Sequence, residues 1–123
     1  MGDEKFEPDP GALKAAAGEL PIDDVFRLLA DRHARYALVY LHDNPSPPID
    51  ELADVLAGKD ASVEGTITTP IDHNRIRIRL YHSVLPRIEA VGFISFDAET
   101  NAVTDTDIPT AVTDALGVTD SSP

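Results

Sequence analysis

At 123 residues, with 22 acidic against 10 basic side chains and a formal charge of −12, the chain has room for a single core. It contains no cysteine, which excludes disulfides, thiolate zinc sites and cysteine nucleophiles. A balance this acidic argues against a general nucleic-acid coat, but the acids are spread along the chain as on a surface adapted to high salt, so overall charge leaves the partner open.

No stretch approaches the roughly 18 consecutive apolar residues of a membrane span, and the start MGDEKFEPDP lacks the basic and apolar runs of a secretory signal. The expectation is a soluble, cytoplasmic protein with no membrane contact.

Residues 1–19 carry acids, Pro8, Pro10 and Gly11 and predict a flexible acidic tail in which only GALKAAAGE can form helix. The domain is predicted over residues 20–107, followed by a short C-terminal helix and tail at 108–123. Pro21 suits a helix start, Asp23 and Asp24 favour its positive end, and Ile22, Val25, Phe26 and Leu29 make its inward face to about Ala30. Asp31 can cap a second helix, in which Ala34, Ala37, Leu38 and Leu41 repeat at helical spacing until Pro45, Pro47 and Pro48 stop it.

From Ile49 the pattern IDELADVLA predicts a short third helix ending at Gly58, with Leu52, Ala53 and Leu56 on one face. Small Ala53 lets another helix cross closely, as the positioning helix of a helix-turn-helix requires. Residues 59–70 have no helical period and read as a long loop, with Val63, Ile67 and Thr69 able to pair as a short strand.

Residues 71–92 hold the longest helical pattern. Ile76, Leu80, Val84, Ile88 and Val91 form one apolar stripe, and Arg75, Arg79 and His82 form a neighbouring one expected to project outward. Arg75, Arg77, Arg79 and Arg87 stand against Asp72 and Glu89, a local charge of +2 in an anionic chain. Pro86 predicts a kink between His82 and Pro86, because it lacks an N–H and crowds the carbonyl of His82. After Gly92, two β-prone runs flank the polar turn DAETN and predict a hairpin in the position of a wing; Pro109 can open a last helix. The fold class expected is mainly α with a small β-hairpin, a winged helix-turn-helix.

This order of elements resembles the winged-helix regulators of the ArsR and MarR type. More closely, LPIDDVFRLLADRHARYALVYL, IDELADVLA and LYHSVLPRIEAVGFISFD are similar to a family of small winged-helix proteins of halophilic archaea, from about Leu20 to Thr104. Its strongest parts are the arginine-rich start at Arg32 with Tyr36 and Leu38, and the LYHxxLPxLxxxG pattern from Leu80. Placing Val84, Leu85 and Gly92 on the HLxxLxxxG ending of ArsR-type recognition helices puts Ile78, Arg79, His82, Ser83 and Arg87 where that type touches DNA. The resemblance implies that Arg79 reads guanine while Arg75 and Arg87 meet phosphate. It also implies a homodimer, built through the first and last helices, with two recognition helices about 34 Å apart.

The residues themselves allow other roles. Arg75 and Arg79 can equally be solvated and bridged to acids, and Arg32 and Arg35 are expected to pair with Asp31, Asp23 or Asp24. The four histidines fit no zinc spacing, Ser83 beside His82 is no nucleophilic pair, and no glycine loop can cradle phosphate. No cofactor, metal or enzymatic activity is expected. Tyr36, Tyr40, Tyr81, Phe26, Phe93 and Phe96 are read as core and rim. Two functions stand: a DNA-binding regulator acting on double-stranded DNA, or the same fold serving as a protein interaction module.

Overall fold

The computed structural model describes residues 22–117. The tails expected at residues 1–19 and beyond Gly117, and the role of Pro21, lie outside the described residues. Helices α1 (Ile22–Leu29), α2 (Arg32–Asp43), α3 (Ile49–Glu64) and α4 (Pro70–Arg79) come first. The helix that α4 begins continues through a π-helical turn (Leu80–Val84) into α5 (Leu85–Ala90), and is followed by β1 (Ile94–Asp97), β2 (Ala102–Thr106) and α6 (Thr110–Ala115). The architecture is mainly α with a small β-hairpin, in the winged helix-turn-helix order.

Helix α1 buries Val25, Leu28 and Leu29. Its chain end hands directly to Asp31, whose extended backbone and side-chain Oδ1, accepting from the His33 N–H at 2.9 Å, cap α2 as expected. Ala34, Ala37, Leu38 and Leu41 are all buried on the face of α2 predicted for the core.

Two expectations fail in α3. It does not end at Gly58 but runs on to Glu64, and no strand forms at Val63, Ile67 or Thr69. Gly58 is exposed with no atom within 4 Å of where a Cβ would stand, so the helix passes through it at only the intrinsic cost of glycine, about 1 kcal/mol. The extension is tied down from α2, because Asp60 receives His33 Nε2 at 2.7 Å and lies 3.3 Å from Arg32 Nε. Termination falls instead at Gly65, in the left-handed region at φ 71°, where the Thr66 N–H closes on the Ala61 carbonyl at 2.9 Å.

The predicted loop of residues 59–70 therefore shrinks to residues 65–69. That is close to the about three or four residues of a compact helix-turn-helix. Thr69 caps α4 with a reciprocal box: its Oγ1 accepts from the Asp72 N–H at 3.2 Å while Asp72 Oδ2 accepts from the Thr69 N–H at 3.0 Å. Pro70 is the first residue of the helix and not the last of a loop.

The disturbance expected near Pro86 takes the form of the π-helical turn, in which the Leu85 N–H bonds to the Leu80 carbonyl. The turn ends just before the proline, widening the ring where an ordinary α-helix would need the missing N–H. Ile76, Leu80, Val84, Ile88 and Val91 are buried as predicted, and Leu85 joins them.

The hairpin pairs Ile94 with Thr106 and Asp97 with Ala102, with a bulge between Ser95 and Phe96. It is laced to the proline segment between α2 and α3: the Val103 N–H donates to the Pro47 carbonyl at 2.9 Å, and the Ile49 N–H to that of Asn101 at 2.8 Å. Phe93, Ile94 and Val103 close the core beneath it, while Phe26, Tyr36, Tyr40 and Phe96 pack at its rim and Tyr81 is exposed. Helix α6 follows Pro109 and adds Val112 to the same core, so the inner faces of the first and last described helices are used within the single chain.

Candidate functional site

The helix that begins at Pro70 and ends at Ala90 presents three kinds of face. One is the buried stripe. A second faces α2 and α3 and carries most of the cations. The third faces outward, and only part of the predicted set lies on it.

Arg79 and Arg87 do not project outward. Arg79 Nη2 donates to Asp31 Oδ2 at 2.8 Å, with its Nη1 3.5 Å from Oδ1, and Arg87 Nη2 bonds to the same Oδ2. Arg87 Nε also reaches the Ser83 carbonyl at 3.4 Å, and Ser83 itself is half-buried. One carboxylate at the start of α2 thus gathers two guanidinium groups from the long helix. Burial of Asp31 by itself disfavours its charge, but the hydrogen bonds from Arg79 and Arg87 outweigh it and hold the carboxyl far below the usual carboxylate range.

The cluster extends sideways. His33 gives its Nε2 hydrogen to Asp60, which leaves Nδ1 facing Arg79 Nη1 at 3.5 Å as an acceptor. The partners expected for Arg32 and Arg35 are corrected accordingly. Arg32 lies on Asp60, Arg35 Nη1 donates to the Leu29 carbonyl at 2.9 Å, and Asp24 pairs with Arg27. Asp31 is taken by arginines from α4 and α5. Nothing adjacent in sequence marks that choice.

On the opposite flank, Arg77 Nε donates to Asp50 at 2.6 Å and His73 Nδ1 to Asp54 at 2.7 Å, fastening α4 to α3. The bond from Arg77 keeps the exposed Asp50 carboxyl below its usual range. Among the described residues no group of three or more His, Cys, Asp or Glu side chains is placed to hold a metal ion.

The outward face carries Arg75, Ile78 and His82 from the predicted set. The Arg75 side chain is 72% exposed, and its one ion pair among the described residues is a loose one with Asp72 at 3.7 Å. Ile78 is 51% exposed, and His82 is exposed with its ring edge-on to Tyr81, which in turn meets Phe96 of the hairpin edge-on at 6.0 Å. Sequence reasoning missed Ile71 and Asn74, both exposed on this face, and Tyr81 beside it. A helical wheel stepping three and four residues from Ile71 through Asn74, Ile78 and His82 would have found them.

The shortened turn at residues 65–69 leaves this face open. In chemical terms the face offers one amide, one loosely held guanidinium, one imidazole and two aliphatic side chains. That inventory can hydrogen-bond and make apolar contact, but among the described residues it holds no nucleophile paired with a base. At the wing tip, Asp97 is occupied in shaping the turn, accepting from the Glu99 N–H at 2.9 Å and the Thr100 hydroxyl at 3.2 Å. Among the described residues no helix is long and apolar enough to cross a membrane.

No curated protein and no solved structure compared with the chain matches it. Residues 26–104, from α1 through the hairpin, match the family described as a domain of unknown function, DUF7344, and the chain belongs to that family.

Proposed function

We propose that this protein is a DNA-binding regulator that lays α4 and the following turn in the major groove of double-stranded DNA. The observation that carries the reading is the open outward face of that helix, with Asn74, Arg75, Ile78 and His82 uncovered by the short turn before it. Asn can donate to adenine N7 and accept from its N6–H in the major groove, Arg can meet phosphate, and an aliphatic side chain can meet the thymine methyl. Arg75 keeps the phosphate role expected of it, and Asn74 takes the base-reading role for which Arg79 was expected. Arg79 and Arg87, held by Asp31, set the helix and do not touch DNA.

A homodimer would place two such helices about one DNA turn apart. The spread of acids over the rest of the chain fits a cytoplasm rich in salt, where screening removes their repulsion of phosphate. No enzymatic role is proposed.

A second reading has its own support. Among the described residues Val63, Ile67, Ile71, Ile78 and Tyr81 are the large apolar side chains left exposed, and they lie on the end of α3, the turn and the long helix. Large apolar side chains left exposed along these neighbouring segments suit a protein interaction module.

Binding to fragmented genomic DNA across a salt series separates the two. On the DNA reading, Asn74→Ala relaxes base preference and costs about 1–3 kcal/mol, whereas Arg75→Ala, by removing a phosphate-binding cation, weakens all sequences and flattens the salt slope by about one unit. With the body repelling phosphate at low salt, the usual fall of affinity with salt should be flattened or reversed. If no fragment is enriched at any salt, the DNA reading fails and the interaction module stands.

A further inference from the structure

A cleft of about 160 Å³ opens between the C-terminal half of α3 and α4, inside the helix-turn-helix, and shares Arg75 with the outward face. One wall carries Asp60 and Glu64 of α3, and the other Arg75 and Arg79 of α4. Thr66 and Thr68 line it from the turn, and Ile76 adds apolar surface.

The two charged walls are not joined. Asp60 is turned to His33 and Arg32, Arg79 to Asp31, and Arg75 to Asp72, while Glu64 makes no ion pair among the described residues. Asp60 Oδ1 is buried without an aligned hydrogen bond, since Arg32 Nε stands near it but outside bonding geometry. Arg79 also keeps donors in reserve, because a guanidinium has five N–H groups and Asp31 and His33 together engage three of them.

We propose that this cleft binds a small zwitterion, a free α-amino acid. Its carboxylate is received by Arg75 and the remaining N–H groups of Arg79, its ammonium by Glu64 with the largely buried Asp60 carboxylate adding negative potential behind it, and its side chain lies toward Thr66 and Ile76. A simple anion would face Asp60, Glu64 and Asp72, and a simple cation would face the two arginines. Only a ligand with both charges a few ångströms apart satisfies both walls. The volume is below the roughly 300–1,000 Å³ of pockets for drug-sized ligands, which leaves out nucleotides and peptides. Its occupant would bridge the two helices of the helix-turn-helix, and amino-acid binding is measured without DNA, so the site is tested apart from whatever the outward face docks on.

Calorimetric titration of the full chain with the standard free L-amino acids tests the site. The N-acetyl and carboxamide derivatives of any amino acid that binds serve as controls. At least one amino acid should bind saturably, and each derivative, lacking one charge, should bind at least about tenfold more weakly. Arg75→Ala and Glu64→Gln should each weaken binding by about tenfold or more while leaving the melting temperature of the free protein unchanged, as both side chains are exposed. The proposal is overturned if no amino acid binds saturably, if the derivatives bind as well as the parent, or if both variants bind like wild type.

Discussion

Arg79 on α4 reaches Asp31, 48 positions earlier, with Nη2 at 2.8 Å from Oδ2 and Nη1 at 3.5 Å from Oδ1. The same carboxylate caps α2 and receives Arg87. A side chain that helical spacing alone would project outward is thereby a brace between the second helix and the long helix.

Asp31→Asn keeps a good helix cap but removes the charge that the two arginines share. Unfolding in urea should show a loss of about 1–2 kcal/mol, at the lower end for charged hydrogen bonds because both guanidinium groups are partly in water. The folded carboxyl titrates below its unfolded value, so its stabilisation is complete above about pH 4 and is lost as the pH falls further. The gap between wild type and variant should therefore close on acidification. A gap that widens below pH 4 would contradict the ion-pair role.

The brace and the open face separate by phenotype. Arg79→Ala should lower the melting temperature by several degrees, because it removes a bond to a largely buried carboxylate. Arg75→Ala should leave melting unchanged and act only on ligand or DNA binding. Equal melting temperatures for the two variants would return Arg79 to the exposed set.

Gly58 and Gly65 make a paired test of where α3 ends. Gly58→Ala should stabilise by about 0.5–1 kcal/mol, since the position is helical and nothing would meet the new methyl group. Gly65→Ala should destabilise by about 1–2 kcal/mol, because φ 71° is strained for any side chain. Opposite signs place the helix end at Gly65; reversed signs place it at Gly58.

Leu80 is fully buried at the start of the π-helical turn. Leu80→Ala should cost about 2–5 kcal/mol, from the transfer energy of the missing atoms and the cavity they leave behind. Thermal or chemical denaturation giving a difference under roughly 0.5 kcal/mol would mean that the long helix is turned away from the core.

The sequence by itself determined what depends on short spacing. Asp31 as a cap, the proline stop after α2, the stripe from Ile76 to Val91 and the hairpin around DAETN each follow from residues within a few positions of one another. The capping box from Thr69 to Asp72 is equally legible, yet Pro70 reads as the end of a loop once the preceding helix is closed at Gly58. A glycine stops a helix only when the chain beyond has nothing to hold it, and here Asp60 is held by His33 and Arg32 from α2.

Only the tertiary structure decided the partners of the charges. In a chain with 22 acids every arginine has several candidate carboxylates, and helical spacing gives direction about one axis without saying which neighbour stands there. Asp31 became the partner of Arg79 and Arg87, and not of Arg32 or Arg35, because the packing of α2 against the long helix places it between them. Local periodicity is a property of one helix. Ion pairing across helices is a property of how they meet, and that choice engaged Arg79 and Arg87 with Asp31 and left Asn74, Arg75 and Ile78 facing outward.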